Sequence, residues 1–94
     1  MSLDLQELYN KMLKVHEKTD AIFEQFQIKG MLRNEYNNKV NQYTSMYESV
    51  ETMKSLATSE EAIENLINQQ IEILNVRIQC ELNLAQRAIN SQNN

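Results

Sequence analysis

The sequence contains few residues that could do chemistry, and its one histidine is the first of them. His16 and Asp20 are four residues apart, so one face of a helix would carry both, and together they could bind a metal ion. Two ligands do not make a stable metal site, and no Glu-x-x-His pattern is present to build a di-iron centre in a helical bundle. We therefore expect His16 to be a packing or interface residue, and we predict no metal site.

The only cysteine, Cys80, bears on both redox chemistry and nucleophilic catalysis. A single cysteine cannot form an internal disulfide or a thiolate metal site. A nucleophile–base pair would require Cys80 or a serine to lie beside His16, because the chain has no other histidine to act as the base. We predict that Cys80 is buried or lies at an interface, that there are no catalytic residues, and that the protein is not an enzyme.

Motifs for phosphate and cofactor binding are also missing. Gly30 is the only glycine, so a glycine-rich phosphate loop is excluded. The carboxylates of Glu60, Glu61 and Glu64 are better interpreted as charges at the start of a helix than as an acid–base pair. The sequence therefore predicts no cofactor.

The charge distribution argues against nucleic acid as a partner. The formal net charge is −4, and residues 48–94 hold the whole excess, with three basic against seven acidic side chains. An acidic chain lacks the positive surface that nucleic acid or an anionic membrane requires. Tyr36, Tyr43 and Tyr47 could stack on bases, but no basic residues are interleaved with them.

The hydropathy pattern gives no sign of a membrane segment. No apolar run approaches the ~18–20 residues of a transmembrane helix, and the start of the chain lacks a basic region followed by an apolar stretch. A lone cysteine fits a reducing compartment. The expected location is cytoplasmic, with no membrane partner.

The near-absence of chain-breaking residues predicts the fold class. There is one glycine and no proline in 94 residues, whereas sheets need turn residues at regular intervals. A chain this short forms one domain at most. We predict a single all-α domain over residues 1–89, with helices at about 3–28, 32–57 and 59–89, followed by a disordered tail over 90–94.

The apolar seams of the first two helices differ in how many polar residues they contain. Gly30 is expected to be the left-handed residue that ends helix one. The first seam has an a/d heptad pattern, flanked by Tyr9, His16 and Phe23. Its members are Leu5, Leu8, Met12, Val15, Thr19, Ile22 and Phe26. The second seam is more polar, because Lys54 interrupts it. It contains Tyr36, Val40, Tyr43, Tyr47, Val50 and Ala57.

The third helix has the clearest start and the largest apolar surface. Thr58 or Ser59 can cap it, with acidic residues in the first turn. Its main stripe consists of Ile63, Ile67, Ile71, Leu74, Ile78, Leu82, Ala85 and Ile89. Because this helix is longer than the other two, they cannot cover it fully, and an apolar surplus should remain.

Two architectures fit these segments. The helices could close as an antiparallel three-helix bundle with coiled-coil-like packing. If Ala57–Thr58 only kinks the chain, the molecule would be a long helical hairpin that must dimerise. We predict a homodimer with the third helices at its centre. The predicted interface residues are Ile67, Ile71, Ile73, Leu74, Ile78, Leu82, Ala85 and Ile89. The alternative is that this stripe is the core of a monomeric bundle.

The functional expectation follows from the apolar surplus and the missing chemistry. We expect a non-enzymatic helical module for protein–protein interaction: an adaptor, an assembly factor or a chaperone-like subunit. Small acidic helical proteins have such roles in bacterial secretion systems and other multi-subunit complexes, an analogy that rests on fold alone. The alternatives are a self-assembling structural or exported helical protein, and a dimeric regulator.

Overall fold

A computed structural model describes the backbone of residues 2–92 and the side chains of residues 4–92. This part of the chain forms three α-helices and no strand: α1 (Ser2–Gln25), α2 (Met31–Leu56) and α3 (Glu60–Ser91). The predicted all-α, three-helix fold is confirmed. Asn90 and Ser91 are helical, although they were assigned to a disordered tail, and the last two residues of that tail lie outside the described residues.

The end of α1 is a Schellman turn, which a hydrophobic contact holds in place. The N–H of Ile28 donates to the carbonyl of Phe23 at 2.9 Å, and the N–H of Gln27 donates to that of Glu24 at 3.1 Å. Gln27 is the left-handed residue, with φ 52°. Ile28 and Phe23 belong to one buried cluster, the contact that usually accompanies this turn.

The prediction that Gly30 ends α1 was therefore wrong. The apolar contact between Phe23 and Ile28 fixes the left-handed position at Gln27, three residues earlier. Gly30 instead lies just before α2, with φ 76° and ψ −144°. Residues other than glycine rarely adopt this backbone conformation. The position therefore requires glycine, but it serves the start of α2 rather than the end of α1.

A short non-helical segment separates α2 from α3. Ala57 is extended, with φ −73° and ψ 141°. Ser59 then caps α3, since its Oγ accepts a hydrogen bond from the N–H of Ala62 at 3.1 Å. Glu60 and Glu61 occupy the first turn, where the helix dipole favours negative charge. Helices two and three are thus separate, which excludes the long hairpin.

The third helix is the centre of the arrangement, because both α1 and α2 pack along it. Met12 of α1 clusters with Leu74, and Phe23 clusters with Leu84, so α1 and α3 run in the same direction. In α2, Lys54 contacts Gln70 whereas Glu35 contacts Arg87, so α2 runs the opposite way. The described part of the chain forms a rod of 53 × 22 × 14 Å.

The apolar core has two parts along this rod. One cluster has Met12, Leu74 and Ile78 at its centre. The other contains Phe23, Ile28, Tyr36, Leu84 and Ala88. Charged and polar side chains lie between the two clusters, and they decide which face of α3 is buried.

Candidate protein-binding surface

Polar residues make up a large share of the buried face of α3. Gln70 and Glu81 are 0% and 1% exposed, and Arg77 is 7% exposed. The complete buried set is Gln70, Leu74, Arg77, Ile78, Glu81, Leu84, Ala85 and Ala88. Of the predicted apolar stripe, only Leu74, Ile78 and Ala85 belong to this set. The helix is therefore rotated relative to the orientation that its hydrophobic pattern predicts.

The predicted interface residues consequently fall into three groups. Leu74, Ile78 and Ala85 are buried between the helices, so a partner could not reach them without opening the fold. Three isoleucines are half-buried: Ile67, Ile71 and Ile73. Leu82 and Ile89 are exposed, at 47% and 37%. Five of the eight residues thus remain at the surface.

Apolar side chains follow one another along the side of α3 that faces away from α2. They are Ile63, Ile67, Ile71, Leu82 and Ile89, which we call the outer strip. Their successive spacings of four, four, eleven and seven residues return to one side of an α-helix. Each is half-buried or exposed. On the opposite flank, Ile73 and Val76 border a shallow groove with Tyr43 and Met46 of α2.

The first half of the outer strip borders a groove next to the start of α1. Its volume is about 400 Å³. Asp4 comes from α1, and all the other lining residues come from α3. These residues are Asp4, Glu60, Ile63, Glu64, Ile67, Asn68 and Ile71, which we call the acidic groove. It combines an apolar floor with three carboxylates and no basic side chain.

The second half of the outer strip is uncharged. Leu82 and Ile89 are exposed there, and the exposed side chains beside them on this side of the helix are amides: Asn75, Gln79 and Gln86. Arg87, on the side of α3 that faces α2, forms two hydrogen bonds to Glu35 at 2.9 and 3.0 Å. These bonds lower the pKa of Glu35. The two halves of the strip therefore differ in electrostatic character.

A buried polar layer connects the three helices between the apolar clusters. His16 Nδ1 of α1 lies 2.9 Å from Glu81 Oε1. Arg77 Nε donates to Glu81 Oε2 at 2.8 Å, and its Nη1 donates to Thr44 Oγ1 of α2 at 3.2 Å. His16 thus helps to hold α1 against α3 through its contact with the carboxylate of Glu81. Within residues 4–92, no three His, Cys, Asp or Glu side chains are grouped so that they could hold a metal ion.

Tyr36 of α2 also belongs to this polar layer. Its hydroxyl donates to Asp20 Oδ1 at 3.2 Å, and its ring stacks on Phe23 with centroids 4.3 Å apart. The side chain is only 3% exposed. Burial raises the pKa of Tyr36 well above its ordinary value of about 10, and the negative charges of Asp20 and Glu81 raise it further.

Tyr36 should therefore make the fold sensitive to alkali. Below pH 10 the hydroxyl is protonated in both the folded and the unfolded chain. Above pH 10 only the unfolded chain ionises, so the free energy of unfolding should fall by about 1.4 kcal/mol per pH unit through this residue. Urea unfolding at several pH values between 9 and ~11.5 measures the slope. Tyr36→Phe should reduce it, and an unchanged slope in that variant would contradict the assignment.

Gln70 forms a second buried polar contact, nearer the start of α3. Its Nε2 donates to Glu51 Oε1 and its Oε1 accepts from Lys54 Nζ, both at 2.8 Å. The hydrogen bonds from Gln70 and Lys54 lower the pKa of Glu51. Lys54, which interrupts the seam of α2 in the sequence, is thus held by a polar partner on α3.

Cys80 is half-buried beside the cluster that contains Phe23 and Leu84. Burial raises the pKa of its thiol, which keeps the sulfur in its unreactive, protonated form near neutral pH. This environment favours a packing role for Cys80 over a redox role.

Sequence reasoning missed the buried pair of Arg77 and Glu81, although their spacing contains a signal. The two are four residues apart with opposite charge, in the middle of a segment that is otherwise apolar or uncharged. An i,i+4 ion pair is usually a surface feature. Oppositely charged residues four apart within an otherwise uncharged, largely apolar segment could have predicted a buried ion pair.

Comparisons with protein-family models, with curated proteins and with solved structures found no match. Among residues 2–92, no helix combines the length and the apolar character needed to cross a membrane. The function is therefore inferred from the fold and its surfaces.

Proposed function

We propose that this protein is a non-enzymatic helical module for protein–protein interaction, such as an adaptor, an assembly factor or a chaperone-like subunit. In this proposal α3 is the recognition helix. The observation that carries it is the outer strip, in which Ile67, Ile71, Leu82 and Ile89 remain at the surface of a helix whose other face already fills the core. Apolar side chains that recur along one exposed side of a helix are typical of surfaces that bind another protein.

The size of the strip limits what it can do alone. Full burial of an exposed Ile or Leu contributes about 1.5–3 kcal/mol. Four side chains that are already partly covered would contribute roughly 3–6 kcal/mol by that measure, and association opposes this with at least ~4 kcal/mol. A stable complex must therefore also bury surface beside the strip, either on α3 itself or on the adjoining helix.

Self-association is the interaction that the second half of the strip supports. In a two-fold dimer the same patch meets its own copy, so a patch with a net charge meets the same net charge. On α3, the exposed side chains beside Leu82 and Ile89 are amides, so this helix brings no like charges together there. A homodimer through this half of α3 is consistent with the dimer predicted from the sequence.

We predict that the chain is dimeric at about 100 μM and that Leu82→Gln combined with Ile89→Gln makes it monomeric. The reason is that the double variant removes the apolar side chains from the uncharged half of the strip but leaves the core intact. Sedimentation equilibrium measures the mass, and circular dichroism verifies that the variant is folded.

Leu56→Gln is the matched control, since Leu56 is 75% exposed at the end of α2 and lies outside the strip. This variant should remain dimeric. A wild-type monomer at ~100 μM would exclude the homodimer, and a dimeric double variant would show that another surface is used.

A further inference from the structure

We propose that the acidic groove binds an amphipathic helix of another protein, one whose polar side chains beside the apolar contacts are lysine or arginine. This inference rests on the proposed function and names the class of partner for one half of the outer strip.

The shape of the groove suits a helix. Ile63, Ile67 and Ile71 follow one another at intervals of four residues along its floor. They span about 12 Å at ~1.5 Å per residue. A partner helix presents anchors at positions i and i+7 over nearly the same distance, and two such anchors are a common way for a helix to occupy an apolar groove.

The charges around the groove select a basic partner. Glu60 and Glu64 are exposed carboxylates of α3 beside the apolar floor of the groove. The nearest basic residue of α3 along the chain is Arg77, which is buried and bonded to Glu81. Lysine or arginine beside the apolar anchors would therefore meet opposite charge, which favours such a helix over an acidic one and speeds association.

A second copy of this chain is a poor occupant. Two grooves in contact around a two-fold axis would bring Glu60 and Glu64 towards their own counterparts. The lysine-rich segment of the chain lies on α1, with Lys11, Lys14 and Lys18. The apolar face of α1 already packs on α3 in the core, so it is not available to a neighbour.

The test uses two synthetic helical peptides with the same leucine anchors, one with lysine and one with glutamate at the flanking positions. Binding to the full chain is measured by fluorescence anisotropy at about 150 mM salt, where exposed charges more than ~8 Å apart are largely screened and mainly direct contacts contribute. The lysine peptide should bind at least ~10-fold more tightly than the glutamate peptide. Ile67→Gln should weaken the lysine peptide by about tenfold.

A second experiment tests the role of charge with two double variants that remove the same number of carboxylates. Glu60→Gln with Glu64→Gln should weaken the lysine peptide several-fold, whereas Glu7→Gln with Glu17→Gln, at exposed positions of α1 outside the groove, should not. Circular dichroism establishes that each variant is folded. Equal loss in both double variants means that net charge alone drives binding, and this overturns the proposal.

The remaining outcomes separate this inference from the proposed function. Equal binding of the two peptides, or no binding of the lysine peptide at ~100 μM, overturns the basic-helix proposal. If Leu82→Gln with Ile89→Gln still abolishes dimerisation in that case, the interaction module stands without this partner. If the wild type neither dimerises nor binds the lysine peptide, both proposals fail.

Discussion

Glu81→Gln should lower the free energy of unfolding by about 3–5 kcal/mol. Glu81 is 1% exposed and accepts a hydrogen bond from Arg77 Nε at 2.8 Å. Glutamine keeps the shape of the side chain but removes its charge, so the buried guanidinium loses its counter-charge. Leaving a buried charge uncompensated is far more costly than losing an ordinary hydrogen bond. Urea unfolding followed by circular dichroism measures the change.

Two further variants show whether the charge is the cause. Replacing Arg77 and Glu81 together by methionine removes both charges, and this should restore stability to within about 1–2 kcal/mol of the wild type. Arg87→Met breaks the ion pair with Glu35, in which the side chains of Arg87 and Glu35 are 46% and 40% exposed, and its cost should be far smaller than that of Glu81→Gln. If Glu81→Gln costs no more than Arg87→Met, burial does not strengthen the inner pair.

The polar layer also explains why an apolar strip is left at the surface. Gln70, Arg77 and Glu81 share the buried face of α3, and each has polar partners on α1 or α2. Turning α3 to bury Leu82 and Ile89 would carry these three side chains away from those partners. The hydrogen bonds thus fix the rotation of the helix, and the rotation leaves Leu82 and Ile89 exposed.

Because the rotation of α3 depends on hydrogen bonds to the other helices, only part of the site could be predicted from the sequence. Composition and capping patterns correctly gave three helices, and the cap at Ser59 is one of the two that were expected. Hydrophobic spacing does not reveal that a glutamine or an arginine has a partner on another helix. It therefore assigned Leu74 and Ile78 to an interface, although both are in the core.

The end of α1 was mispredicted for a different reason. Glycine is the common left-handed residue at a helix end, and Gly30 is the only one available. In the structure Gln27 takes that position, because it places Ile28 on Phe23. An apolar contact between residues five apart along the chain outweighed the preference for glycine, and both of its members are visible in the sequence.

Phe23→Ala should lower the free energy of unfolding by about 3–5 kcal/mol, the usual range for removing a buried phenylalanine. We expect the upper part of this range, because the ring has two roles. It is 0% exposed and stacks on Tyr36. It also supports the turn that follows α1 through its contact with Ile28. Alanine would leave a cavity next to that turn, where neighbouring groups cannot close without moving the chain.

The control and the conservative variant distinguish packing from a general effect of mutation. Leu13→Ala, at a position on α1 that is 41% exposed, should cost less than about 1 kcal/mol. Phe23→Leu retains most of the apolar volume and should be clearly more stable than Phe23→Ala. Urea unfolding ranks the three variants. If Phe23→Ala were no more destabilising than Leu13→Ala, the cluster around Phe23 would not be what holds α1 and α2 on α3, and another contact would have to position the outer strip.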